Sequence, residues 1–460
     1  MKPAARVQAI IDLLDRIYIE DRPADMCAGD YLRRRRYIGS KDRTWIINQL
    51  YALLRRQARL SWWIEQRAGV ETTPRRWVIA YMVLSGQLKA DTLVTWFDGT
   101  RYAPPPLGAE EEKLLATVAG QTLEHPDMPE RVRAECPAWA ETSLRQALGP
   151  AFMEEMQAMT QEFGAHLRIN PNLATPEDVY EGLAAEGIST EPGLFAPNCL
   201  RVSGRPNLVV HPLFKKGAIE IQDESSQVAA LMVDARPGMQ VLDFCAGAGG
   251  KSLAIGLMME NRGRVVATDV LSGKLAKAKD RARRAGLHNV ETRTLKSEND
   301  RWFKRQHKKF DRVLVDAPCT GTGTWGRNPD ARWREKVPRP EDVTPIQASI
   351  LRTAARLVKP GGKLIYATCS LLPEENEEQV AALLADRPDY SAIPLSEALT
   401  PSIAGANDGV YLNMRPGAHG TNGFFAVSLR RSETDMVPDP AEEGHADEPA
   451  LALADGSTAG

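Results

Sequence analysis

The sequence predicts an α/β protein, a doubly wound sheet preceded by a small α+β unit and an all-α N-terminal region. Three observations lead there. From about Gln227 strands and helices alternate, the pattern of a mostly parallel sheet with helices on both faces. The first 145 residues instead carry apolar positions at helical spacing. Between these regions, short strand-like runs surround one helix. A chain of 460 residues exceeds one ordinary core, so several domains are expected.

The helical region spans 1–145. Arg6 to Leu14 has a helical apolar pattern, as does TWIINQLYALLRR from Thr44, and ARLSWWIEQRAG is a third helix. Between the first two lies DYLRRRRYIGSKDR, with arginines at 33 to 36. The α+β unit spans 146–225. HLRIN, CLRVSG and AIEIQDE are its strands, and TPEDVYEGLAAEG its helix, with Thr175 as N-cap and Asp178 closing an acidic capping box. The doubly wound unit spans 226–431. QVLDF, RVVATD, NVETRTL, DRVLVDAP, KLIYATC, VYLNMRP and FFAVSLRR are its strands. KSLAIGLMME, LSGKLAKAKDRARRAG, a helix from about Thr344 to Leu357, and NEEQVAALLAD lie between them. Residues 432–460 hold eight acids and no Lys or Arg, which predicts a disordered acidic tail.

Composition narrows the function classes. Hydrophobic residues make up 43% and charged residues 26%, the balance of a soluble globular protein. No run approaches 18 apolar residues, so no membrane span is expected. The N-terminal stretch carries acids inside its apolar pattern and reads as an amphipathic helix, not a signal peptide. Six cysteines are widely spaced, with no CxxC pair, so reduced thiols in the cytoplasm and no metal are expected. A monomer is expected. The net charge of −2 hides a body near +6 once the tail is set aside. Between Arg262 and Arg312 sixteen Lys/Arg face six Asp/Glu, which suits a phosphate-bearing partner or a solvated helix face.

Ligands of doubly wound sheets bind outside the carboxyl ends of the strands, so the strand exits carry the chemistry. LDFCAGAGGKS, Leu242 to Ser252, is a Gly-rich turn opening a helix. It lacks the third glycine of a dinucleotide turn, and Ala246 stands where a phosphate loop needs glycine, so both readings fail and a plain strand–helix turn competes. Asp269 ends the next strand, where a carboxylate accepts both hydroxyls of a ribose. VDAPCTGTGTWGRNPDARWR places Asp316 and Cys319 at the exit of the fourth strand. Behind them Trp325, Arg327, Arg332, Trp333 and Arg334 suit either base stacking with phosphate contact or ordinary core. YATCSLLPEENE places Cys369 at the exit of the fifth strand, ahead of a cluster of acids.

Two thiols at the exits of successive strands are candidates for a disulfide, a metal, inert packing or catalysis. Compartment, the lack of clustered His or Cys, and position argue against the first three. A thiolate adding to carbon 6 of a pyrimidine makes carbon 5 nucleophilic toward an electrophilic methyl group. Asp316 is placed to stabilise the developing charge, and a second thiol assists release of the carbon 5 proton.

IQDESSQ, LDFCAGAGGKS, Asp269, DAPCTGTG, YATCSLLPEENE and GFFAVSL together resemble the Sun-type RNA cytosine-5 methyltransferases, a group that includes bacterial 16S ribosomal RNA methyltransferases. The resemblance covers about Ile219 to Arg430. It implies a Rossmann-like class I methyltransferase domain, S-adenosylmethionine as cofactor, and RNA, ribosomal RNA above all, as partner. It implies Cys369 as nucleophile, Cys319 as the thiol that helps release product, and Asp316 between cofactor and base. Cys245, Ala246, Gly247, Ala248, Gly249, Gly250 and Lys251 are implied as the cofactor turn and Asp269 as the ribose contact. The N-terminal region is similar to an antitermination-factor-like RNA-binding domain, and 146–225 to an RNA-recognition-like subdomain. Two departures stand out. Gly247-Ala248 replaces the family's Ala-Pro, and Lys296 stands where an Asp touches the adenine side, with Glu298 and Asp300 just beyond. Alternatives are a transfer RNA cytosine-5 methyltransferase, or an RNA-binding assembly factor that has lost turnover.

Overall fold

A computed structural model describes residues 1–162, 164–204, 206–399 and 409–434. The expected acidic tail lies outside the described residues from 435 onward. The chain forms two compact units.

The first unit takes in Met1–Glu162 and Thr324–Val337. It is helical. In Pro3–Ile19 the side chains of Val7, Ile10, Ile11, Leu14 and Ile17 are buried, one stripe at i, i+3, i+4 and i+7. Pro74–Leu84 is buried along its whole length from Trp77, which makes it the central helix of this core. Pro74 at the first helical position and the Thr73 hydroxyl, which accepts from Arg76 N at 3.2 Å, start it. The arginine-rich stretch is itself mostly helical, Ala24–Arg34, with Arg33, Arg34 and Arg36 exposed. Arg35 lies 3.7 Å over the Tyr31 ring.

The segment 324–337 puts Trp325, Arg332 and Arg334 into the core, while Arg327 and Trp333 are half-buried and Glu335 and Lys336 exposed. Trp325 is fully buried and meets Trp139 edge-on, with ring centroids 5.9 Å apart. Arg332, also buried, donates to the carbonyls of Glu135 and Met159, both at 3.1 Å. Burial pushes its guanidinium down to about 10. Arg334 pairs with Asp330 at 2.9 Å, and Asp330 caps Ala24 N at 3.2 Å. Sequence spacing leaves core and nucleic-acid readings level here; burial decides for core at Trp325, Arg332 and Arg334.

The second unit begins with a four-stranded antiparallel sheet, β1 (His166–Ile169), β2 (Thr190–Pro192), β3 (Cys199–Val202) and β4 (Ile219–Ile221), in the order β2-β3-β1-β4. Its helix Pro176–Ala184 carries the expected reciprocal cap between Thr175 and Asp178. The large sheet has β5 (Gln240–Asp243), β6 (Arg264–Asp269), β7 (Val290–Thr294), β8 (Phe310–Asp316), β9 (Val358–Thr368), β10 (Tyr390–Ala392), β11 (Tyr411–Met414) and β12 (Phe424–Arg431). Their order is β10-β12-β9-β8-β5-β6-β7, with β11 on β12. The run from β7 to β9 is parallel and β12 is antiparallel. β2 and β10, TEP and YSA, are not among the expected strands, because neither carries the apolar alternation that marks the equally short IEI of β4.

Alternation inside the strands builds two apolar layers. Val241, Val265, Leu314 and Ile365 face one side and pack with Val228, Met232 and Ile255. Leu242, Val266, Val313, Leu364 and Tyr366 face the other and pack with Ile350, Leu351 and Val380. The chain runs outward from β5 to β7, then returns to β8 on the other flank of β5. That reversal opens a crevice at the carboxyl ends of β5 and β8.

Candidate active site

The Gly-rich turn leaves β5 at Asp243 and opens the helix Gly250–Met258. Gly249 adopts φ +81, and a Cβ there would lie 2.7 Å from Ala278 Cβ, so no other residue fits. Gly247 adopts φ +54 with open space around its missing Cβ among the described residues, so a ligand can approach its backbone. Asp269, at the end of β6, ties the turn down. Its Oδ2 accepts from Gly247 N and its Oδ1 from Leu271 N, both at 2.8 Å. Each oxygen keeps a further lone pair.

Asp243 is fully buried; its Oδ2 accepts from the Ser252 hydroxyl at 2.6 Å, while Oδ1 has no partner among the described residues. Burial pushes its carboxyl up to about 7, and Asp316 adds to the rise. Lys251 is buried at 2.7 Å from Asp316 Oδ2, with its Nζ 4.8 Å from the Phe424 ring centre. Cys245 is pushed well up by burial, with Asp269, Asp243, Asp316 and Glu298 adding to it. The strand ends thus offer three carboxylates, Asp243, Asp269 and Asp316, and one lysine already paired with a carboxylate. That set repels a polyphosphate and suits a ligand with hydroxyls and positive charge. S-adenosylmethionine, with a ribose, an ammonium and a sulfonium, fits it.

Sequence reasoning missed what holds the turn from outside. Arg281 donates to Ala248 O and Arg168 to Gly250 O, each at 2.7 Å. Glu220 on β4 accepts from Arg281 at 3.0 Å and also pairs with Arg284. Two arginines of the basic stripe are therefore committed inside the fold. The stripe's count of charges carried no signal for this, because the partners come from a strand some sixty residues away. Lys296 is exposed on the loop after β7, its N–H bonded to Asp300 at 2.9 Å. Glu298, two residues on, is the nearby group that bears on Cys245.

The two thiols come together. β8 and β9 are adjacent parallel strands paired Asp316 to Ala367, and Ala317 N donates to Ala367 O at 2.9 Å. Both strands end at the same level, and Cys319 Sγ lies 3.2 Å from Cys369 Sγ, both as free thiols. Gly323 N donates to Cys369 O at 2.9 Å, which closes one loop over the other. The hydrogen bond to Cys369 and burial hold the Cys319 thiol well above the ordinary range. The described residues contain one other cluster of possible metal ligands, His166, Cys199 and Glu224. Its acceptors are already engaged: Glu224 takes hydrogen bonds from Phe195 N, Ala196 N and Arg201, and His166 Nδ1 takes one from Glu224 N.

Comparison with known proteins fits this geometry. Residues 230–430 match the family described as 16S rRNA methyltransferase RsmB/F. The chain is 35% identical over 267 residues to the probable ribosomal RNA small subunit methyltransferase B of Bacillus subtilis, a match spanning 58% of this chain and 59% of that relative's length. It is 32% identical to the protein of the same description from Synechocystis, covering 64% of this chain and 67% of the relative. The solved structure titled PH0851 superimposes with a TM-score of 0.75 at 25% identity, over 94% of this chain and 99% of that one. With its Gly-rich turn, its paired strand-end thiols and these relatives, the chain belongs to the RsmB/F family of 16S rRNA methyltransferases.

Proposed function

We propose that this protein transfers a methyl group from S-adenosylmethionine to carbon 5 of a cytosine in RNA, with ribosomal RNA as the substrate class. The observation that carries the reading is the 3.2 Å approach of Cys319 Sγ and Cys369 Sγ beside the Lys251–Asp316 pair. In this reading 1–145 grips RNA, 146–225 is an RNA-recognition-like subdomain and 226–431 does the chemistry.

The turn from Cys245 to Lys251 would hold the cofactor, with Asp269 on its ribose and Asp243 Oδ1 as a buried acceptor. When bound, the cofactor supplies an electrophilic methyl group. Cys369 acts as nucleophile: its thiol proton leaves to solvent, the thiolate sulfur bonds to carbon 6 of the base, and carbon 5 becomes able to accept the methyl. Asp316 accepts a hydrogen bond from the ring edge, and Lys251 offsets the charge that develops. Bonding of Cys369 to carbon removes the hydrogen bond that holds Cys319 protonated. Cys319 then gives up its own thiol proton to solvent more readily and stands as a thiolate base. It takes the carbon 5 proton, the carbon–sulfur bond breaks, and 5-methylcytosine leaves. The base leaves its stack to be reached above the ring.

Bisulfite sequencing of total RNA from cells with and without the gene tests this. One cytosine is expected to lose its methyl on deletion, regain it with wild type, and stay unmodified with Cys369→Ala. Purified protein is expected to label RNA from methyl-labelled cofactor. If no cytosine changes and no RNA class takes label, the reading fails and a binding factor becomes the better account.

A further inference from the structure

The acids that follow Cys369 have a use beyond the reading above, on which this inference rests. Glu375 is fully buried. Its Oε2 accepts from Thr320 N at 2.9 Å and from Gln347 Nε2 at 3.0 Å. Its Oε1 accepts from the Thr320 hydroxyl at 2.5 Å and the Ser370 hydroxyl at 2.6 Å. Thr320 directly follows Cys319, and Ser370 directly follows Cys369. One carboxylate therefore spans the two thiol-bearing loops. Gln347 Nε2 also donates to Pro318 O at 2.9 Å, directly before Cys319. Asn376 Nδ2 donates to Ser370 O at 3.0 Å, and the Tyr366 hydroxyl fixes Glu375 O at 2.6 Å.

We propose that Glu375 is a positioning residue that sets the separation of Cys319 and Cys369 by bridging the loops that carry them. It touches neither sulfur in these contacts, so its effect runs through Thr320 and Ser370. A carboxylate accepts from all four donors at once, whereas an amide would turn its –NH2 toward the Thr320 and Ser370 hydroxyls and make them rotate to accept. Burial raises the Glu375 carboxyl, and the hydrogen bonds from Ser370, Thr320 and Gln347 offset part of that rise. Reacting groups misplaced by about 1 Å lose about a hundredfold in rate, so this bridge governs turnover without touching substrate.

The test uses the full chain and the isosteric variant Glu375→Gln, with Ser370→Ala to cut the bridge on one side. The first readout needs no RNA. Glutathione disulfide is added to the folded protein. Cys369 sulfur takes one glutathionyl sulfur and releases a glutathione thiol. Cys319 sulfur then attacks that mixed disulfide, the Cys319–Cys369 bond forms, and the second glutathione thiol leaves. Wild type is expected to close the internal bond, read by mass spectrometry, with Cys319→Ser as the control that cannot. Glu375→Gln is expected to close about tenfold more slowly and accumulate the mixed disulfide. The second readout is turnover on RNA. Glu375→Gln is expected to lower kcat by about a hundredfold, with KM for RNA and cofactor affinity within about twofold of wild type. Ser370→Ala is expected to fall between. Unchanged closure and kcat overturn the proposal. So does a kcat that falls only together with melting temperature and cofactor affinity, the mark of a general loss of structure. Should wild type transfer no methyl, closure alone decides: slowed closure in Glu375→Gln keeps the bridge while the methylation reading fails.

Discussion

The two edges of the large sheet are both charged, and they use that charge in opposite ways. At the amino ends, Asp234 accepts from Lys363 at 3.0 Å, Arg236 at 3.2 Å and Arg312 at 3.3 Å. Asp311 accepts from Lys359 and from Gln240 N, both at 2.7 Å. Burial raises the Asp234 carboxyl, but Lys363 and Arg236 outweigh it and hold the group below the usual range. At the carboxyl ends, Asp243 is pushed up to about 7 with one oxygen unmet among the described residues, and two free thiols lie 3.2 Å apart. Charges that cancel locally are scaffold. Unmet capacity held in place by neighbours is what a ligand or a reaction can use.

That contrast can be broken at either edge. The largest effect is expected from Cys369→Ala, which should cut methyl transfer by about a thousandfold or more and abolish any covalent RNA adduct, measured with labelled cofactor and denaturing gels. Cys319→Ala should lower turnover by about a hundredfold while the adduct accumulates on the same gels. An accumulating adduct in Cys369→Ala instead would reverse the two roles. Asp316→Asn should cost about ten- to a hundredfold in kcat, because the ring edge then loses the charged acceptor of its hydrogen bond.

A smaller and different effect is expected at Asp243. Its folded carboxyl titrates near 7 against an ordinary value of 3.8. Between those values the folded protein holds a proton that the unfolded chain has lost. Stability is therefore complete below about pH 4 and declines as pH rises toward about 7. Melting curves across that range should show a shallower decline for Asp243→Asn. The smallest effect on activity belongs to the amino edge. Asp234→Asn tolerates the left-handed backbone there, φ 48, and removes the charge shared by three cations. It should cost about 1–2 kcal/mol of stability in urea titrations and leave cofactor affinity unchanged. A loss of cofactor binding in Asp234→Asn would erase the distinction between the edges.

The sequence by itself determined whatever depends on near neighbours. Gly249 needs a left-handed turn, strands and helices alternate, and Asp269, Asp316 and Cys369 each stand at a strand exit; all of this is written in local spacing and backbone preference. The parallel sheet then places those exits on one edge by rule. Tertiary structure alone decided the rest. The pairing of β8 with β9 sets the thiols at 3.2 Å, and no spacing of fifty residues encodes that register. Glu375 reads as one acid among several until four donors converge on it. Trp325 and Arg332 read equally as a nucleic-acid surface until burial against Trp139, Glu135 and Met159 makes them core. In each case the deciding energy is desolvation, and a group's exposure to water is a property of everything packed around it, not of its place along the chain.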